Sequence, residues 1–127
     1  MDTAHAARQV LVVEDDQFIA EVLVDIPQDE GYRVAASFDG DAIAIARDDP
    51  PGLVLLDVLM PDMDGPEVCR RLKADPRTRH VPVALMTAVP ELVLGRRLAG
   101  CAYEAVISKP FSLDDVLTTV ERHLAAG

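Results

Sequence analysis

Tryptophan is absent from this 127-residue chain, and cysteine and lysine each occur only twice. Basic residues are scarce: 12 Lys and Arg stand against 22 Asp and Glu, a formal net charge of −10. A direct nucleic-acid ligand is therefore excluded, because neutralising phosphates needs a basic face. Cys69 and Cys101 show neither metal-ligand spacing nor a disulfide framework, so they read as small buried hydrophobes in a reducing setting. No apolar stretch approaches bilayer length, which argues against a membrane partner. Met1 to Arg8 lacks the basic start and apolar run of a signal peptide, and a cytoplasmic location is expected. What is abundant is apolar: 50% of the residues, enough for one packed domain spanning 1–127, with 1–7 expected to fray.

The chain is organised around Leu53-Val54-Leu55-Leu56-Asp57. Four apolar residues in a row read as a strand buried on both faces, and the run ends on a carboxylate followed by a Pro/Asp/Gly loop. Open α/β sheets bind ligands at the carboxyl ends of their strands, so Asp57 is the first candidate for chemistry.

The rest alternates. Arg8–Val13 reads as a strand, followed by a helix capped by Asp16 and closed at Gly31. Pro27 predicts a kink or an early end near Ile26. Tyr32–Ala36 is a second strand, and Asp39-Gly40 opens a helix stopped by Pro50-Pro51. After the third strand, Asp64 and Glu67 form a capping pattern with Pro66 in the first turn. Val81–Met86 is strand four, and the helix from Pro90 runs through Val93, Leu94 and Leu98 to Gly100. Ala105–Ser108 is strand five. Ser112 and Asp115 cap a last helix with the stripe Leu113, Val116, Leu117, Val120 and Leu124. Strands alternating with helices imply an α/β, doubly wound, five-stranded parallel sheet with helices on both faces.

Parallel strands deliver their ends to one rim. Here those ends carry Glu14 and Asp15, then Asp57, Thr87 and Lys109. Acids crowded at one point are costly to ionise unless a cation sits among them. Hard carboxylate oxygens with open water positions suit Mg²⁺, or Mn²⁺. A hydroxyl and an ammonium opposite would complete a pocket for a tetrahedral anion. Such a set performs phosphoryl transfer, with Asp57 as nucleophile.

Taken in order, Val12-Val13-Glu14-Asp15, Leu56-Asp57-Val58-Leu59-Met60-Pro61-Asp62-Met63-Asp64-Gly65, Met86-Thr87-Ala88 and Ser108-Lys109-Pro110-Phe111 resemble the receiver domain of two-component response regulators, over Val10 to about Leu124. The resemblance implies a flavodoxin-like sheet in the order 2-1-3-4-5. It makes Asp57 the phosphoacceptor and Glu14 and Asp15 the metal-holding pair, with the Leu59 carbonyl as a further ligand. Thr87 becomes the hydroxyl that moves onto the phosphoryl group, Lys109 its counter-ion, and Pro110 the residue after a cis peptide. The implied partners are a histidine kinase or phosphotransfer protein, small phosphodonors, and a downstream target or an output domain. Output is expected through the face of helix four, strand five and helix five, with Arg96, Arg97, Tyr103 and Glu104. Such a domain is a self-phosphorylating switch, not a turnover enzyme.

Two departures stand out. Val106 occupies the place of the usual aromatic partner of the moving hydroxyl, and Ala102 that of a common glycine. Leu59 and Val89, two residues beyond Asp57 and Thr87, are apolar where the family tunes water access, which predicts slow loss of phosphate. Plainer readings attach to other residues. Arg70, Arg71, Lys73, Arg77 and Arg79 read as a solvated basic patch, and His5, His80 and His123 as solvated. Asp62-Met63-Asp64-Gly65 lacks the remaining ligands of a calcium loop. A haloacid-dehalogenase-type phosphatase needs a second acid where Leu59 stands, and an FMN-binding flavodoxin needs a phosphate loop where Glu14-Asp15-Asp16 would repel it. A receiver-like interaction module working without phosphate is the remaining alternative.

Overall fold

Alternation along the strands explains where every layer sits. A computed structural model of the protein describes residues 9–37, 41–60 and 63–124. Arg8, the segment 1–7, Asp39-Gly40 and Asp62 lie outside the described residues. Five strands, β1 (Gln9–Val13), β2 (Arg33–Ser37), β3 (Leu53–Asp57), β4 (Val83–Thr87) and β5 (Ala105–Ser108), pair in parallel in the order β2-β1-β3-β4-β5. Leu11, Val13, Val54, Leu56, Val83 and Leu85 point to one face, where they meet α2 (Ala42–Asp48), α3 (Gly65–Ala74) and α4 (Glu91–Leu94). Val10, Val12, Leu53, Leu55, Ala84 and Met86 point to the other, against α1 (Gln17–Asp29) and α5 (Leu113–Leu124). Burial on both faces is why these strands are apolar at every position rather than every second one. Among the described residues no helix is long and apolar enough to cross a membrane.

The helix ends follow their caps. Asp16 Oδ1 accepts the amides of Phe18 (3.0 Å) and Ile19 (3.1 Å) at the start of α1. Ser112 and Asp115 cap α5 reciprocally, at 3.0 and 3.1 Å. Val116, Val120 and Leu124 are its buried stripe, worth roughly 1.5–3 kcal/mol each. Leu113 does not belong to it and is 57% exposed.

Several expectations are corrected. Pro27 neither ends nor truncates α1, which continues to Asp29. Proline sits in the last turn, where its ring packs inward and its carbonyl accepts the amides of Glu30 and Tyr32. Asp64 caps α3 without a side-chain hydrogen bond, and Glu67 pairs with Arg70 and Arg71 instead. Strand four starts at Val83 rather than Val81, behind Pro82, which has no amide to donate. The helix expected from Pro90 to Gly100 keeps α geometry only to Leu94. Gly95 takes φ +48°, and a 3-10 turn follows over Gly95–Leu98. Leu92 and Val93 are exposed there.

The basic patch is also more than a solvated face. Arg70 donates to the carbonyls of Arg97 (3.2 Å) and Ala99 (3.0 Å). Lys73 Nζ donates to the Val81 carbonyl at 2.8 Å and pairs with Glu104 at 2.8 Å. His123 Nδ1 lies 2.9 Å from the Thr119 carbonyl, so it too has a partner.

Candidate functional site

Register brings the strand ends together. Val13 lies opposite Leu56, Asp57 opposite Met86, and Thr87 opposite Ser108, so residues 14, 57, 87 and 109 fall on one rim. Glu14 leaves β1 with its amide on the Ser37 carbonyl (3.2 Å), and Lys109 leaves β5 with its amide on the Thr87 carbonyl (2.8 Å). The Lys109–Pro110 peptide is cis.

One ammonium joins two buried acids. Lys109 Nζ is 3.1 Å from Asp57 Oδ1 and 3.3 Å from Glu14 Oε1. Glu14 Oε2 accepts the Asp16 amide at 3.2 Å. Glu14 is 2% exposed and Asp57 5%. A cleft of about 400 Å³ opens over them, lined also by Asp15, Asp16 and Leu59.

The electrostatics of this corner are unbalanced. Burial, and then the negative charge of Asp57, push the Glu14 carboxyl up to about 7, against the pull of the Asp16 amide and Lys109. Burial alone would lower the Lys109 ammonium, but its hydrogen bond to Asp57 and the charges of Asp57 and Glu14 outweigh that and raise it. Carboxylate oxygens of Glu14, Asp15 and Asp57 lie within 4.8 Å of one another. Three acids facing one lysine leave negative charge uncompensated, and all the donors are hard oxygens. That donor set fits a divalent cation of the magnesium kind.

Thr87 stands apart. Its hydroxyl donates to the Val89 carbonyl (3.0 Å) and accepts the Val89 amide (2.9 Å). It lines a separate cleft of about 250 Å³ with Val89, Pro90, Val106 and Ser108. Thus Glu14, Asp15, Asp57, Leu59 and Lys109 share one cleft, while Thr87 turns away from it.

Gly65 is a positioning residue that sequence reasoning passed over. A Cβ on it would overlap the Asp57 carbonyl oxygen and lie 2.8 Å from Val58 Cα. The start of α3 can therefore sit against the end of β3 only because residue 65 has no side chain. Its signal was present as the glycine closing the loop after Asp57, but nothing in the sequence says what approaches it.

A sequence model of the response regulator receiver domain matches residues 10–121. The chain belongs to that family. Among curated relatives, the response regulator PleD of Caulobacter vibrioides is 43% identical over 112 residues, which cover 86% of this receiver and 24% of PleD. The receiver thus spans about a quarter of that relative's length. Among solved structures, the receiver domain of a histidine kinase from Syntrophus aciditrophicus is 34% identical with a TM-score of 0.83, covering 93% of this chain and 90% of that one. The receiver domain of the sensor histidine kinase PA1611 from Pseudomonas aeruginosa is 26% identical with a TM-score of 0.81, covering 92% and 97%. That protein holds a magnesium ion in its active-site cleft. The acidic group Glu14, Asp15 and Asp57 is compatible with such a magnesium-binding phosphoacceptor site.

Proposed function

We propose that this receiver takes a phosphoryl group onto Asp57 from a histidine kinase or phosphotransfer protein, or from a small phosphodonor. The observation that carries the reading is the Lys109 ammonium bridging Asp57 Oδ1 and Glu14 Oε1 under an open cleft. An Asp57 oxygen attacks phosphorus, the bond from phosphorus to the donor atom breaks, and an acyl phosphate forms. Lys109 is already charged and in hydrogen-bond reach, so it pairs with a phosphoryl oxygen with little reorganisation. Glu14, Asp15, Asp57 and the Leu59 carbonyl would hold Mg²⁺ or Mn²⁺, which neutralises charge on the transferring group.

The response follows from Thr87. When its hydroxyl turns to the phosphoryl group, Val89 loses both of its bonds to that side chain. Pro90, the next residue, is the N-cap of α4. The loop after β4 and α4 therefore move together, and the face of α4, β5 and α5 presents a changed surface to a target or an output domain. Val106, half-buried, offers no aromatic ring to follow the hydroxyl. On this reading the domain is a switch that phosphorylates itself rather than a turnover enzyme. Incubation with Mg²⁺ and acetyl phosphate tests the assignment. The parent should gain about 80 Da by intact mass, and Asp57→Ala should gain nothing. An equal gain in the variant would refute it.

A further inference from the structure

Asp16 lines the same cleft as Glu14 and Asp15, yet its carboxylate stands outside the cluster of acids there. The oxygens gathered within 4.8 Å of one another belong to Glu14, Asp15 and Asp57. Asp16 turns instead to its own helix. Its Oδ1 accepts the amides of Phe18 (3.0 Å) and Ile19 (3.1 Å), and its carbonyl accepts the amide of Ala20 (2.9 Å). These bonds hold its backbone at φ −80° and ψ 110°, the extended geometry of an N-cap. In that geometry the Asp16 amide reaches back to Glu14 Oε2 at 3.2 Å. The helix behind it is fixed in turn, since Leu23 and Ile26 share a buried core cluster with Val10, Val12 and Leu55. At the other end of the acidic loop the Glu14 amide is held by the Ser37 carbonyl (3.2 Å). Asp15 therefore lies between two residues whose backbones are tied, one to β2 and the other to α1.

We infer that Asp16 is a positioning residue for the divalent cation: by capping α1 it aims its amide at Glu14 and sets the backbone from which the Glu14 and Asp15 carboxylates reach the metal. The inference rests on the magnesium-assisted reading given above. Acids on a loosened loop must be ordered when the ion binds, and that ordering weakens affinity. Groups that orient metal ligands without touching the metal are typically worth about 10- to 100-fold in affinity. Asp16 acts here as a hydrogen-bond acceptor and not as a charge. A neutral side chain that still caps the helix should therefore replace it.

Magnesium chloride is titrated into the full chain and its variants by calorimetry, with no phosphodonor present. Asp16→Asn, Asp16→Ser and Asp16→Ala remove the same charge, but only the first two keep a cap. Asn and Ser should bind Mg²⁺ within about threefold of the parent, because the charge lost is exposed and screened. Ala should bind about tenfold more weakly than either. Its unfolding midpoint should fall by only a few degrees. Should it fail to fold, Asp16→Gly removes the same acceptor at a smaller loss of stability and should show the same weakening. An Ala variant that is less stable but binds as tightly as Asn would make Asp16 a helix cap only. That result would overturn the inference and leave the metal site standing. Equal weakening in all three variants would overturn it too, since charge would then be the cause. A folded parent that takes up no Mg²⁺ would overturn the metal assignment itself, and this inference with it.

Discussion

The two sides of the rim are built differently. On one side Glu14, Asp57 and Lys109 come from the ends of β1, β3 and β5 and are already joined at 3.1 and 3.3 Å. On the other, Thr87 is held by Val89, and the helix beyond it is a single α turn broken at Gly95, with Leu92 and Val93 in solvent. The first side depends on buried strands and is set by the sheet. The second depends on one hydroxyl–backbone pair and a single helical turn, held by Leu94 in the core and by the Tyr103 hydroxyl donating to Glu91. On the proposed reading, the chemistry sits on the side set by the sheet and the response on the side that can yield.

Perturbations of the rigid side should have the largest effects. Lys109→Ala removes the only cation that, among the described residues, pairs with Glu14 and Asp57, so phosphorylation by acetyl phosphate should slow by roughly 100- to 1000-fold, measured by intact mass against time. A rate within a few-fold of the parent's would show that Lys109 is a structural counter-ion only.

Acidity comes next. Folding raises the Glu14 carboxyl from 4.5 to about 7, so the native state holds that proton more tightly than the unfolded chain. The metal-free protein therefore has this stabilisation in full below pH 4.5 and loses it as pH rises through 7. The loss is on the order of 3 kcal/mol by pH 8, read from urea unfolding at several pH values. Glu14→Gln should flatten the profile, and saturating Mg²⁺ should restore stability at the alkaline end. A flat profile in the parent would place Glu14 in a far less hostile environment.

Gly65→Ala acts through position rather than charge. The added methyl must push α3 away from the end of β3, costing about 1–3 kcal/mol and displacing Asp57. Both the unfolding midpoint and the phosphorylation rate should fall; a drop in stability alone would mean that the strand end does not move. The smallest effect is expected on the yielding side. Thr87→Val breaks the pair with Val89 at a cost of about 1 kcal/mol and should leave most phosphate uptake intact. The chemical-shift change of α4 amides on phosphorylation should be lost in that variant. A full α4 response without the hydroxyl would detach the helix from Thr87.

The strands were legible because a two-sided burial pattern is local: four branched residues ending in Asp57 need no knowledge of their neighbours. The order of the strands came with the family resemblance, and the acids and lysine were found because each follows a strand end. What the sequence could not convey lies in pairings distant along the chain. Arg70 and Lys73 read as a solvated patch because their partners, the carbonyls of Arg97 and Ala99 and the Glu104 side chain, are about 30 positions away. The expected long helix from Pro90 failed on one residue, because Gly95 takes a left-handed conformation that the apolar spacing of Val93, Leu94 and Leu98 does not reveal.

The most direct measurement locates the phosphate chemically. After Mg²⁺ and acetyl phosphate, borohydride converts an aspartyl phosphate to homoserine, which peptide sequencing then places in the chain. The account predicts homoserine at position 57 and at no other aspartate. Homoserine at another position, or none in the folded and metal-loaded protein, would contradict it.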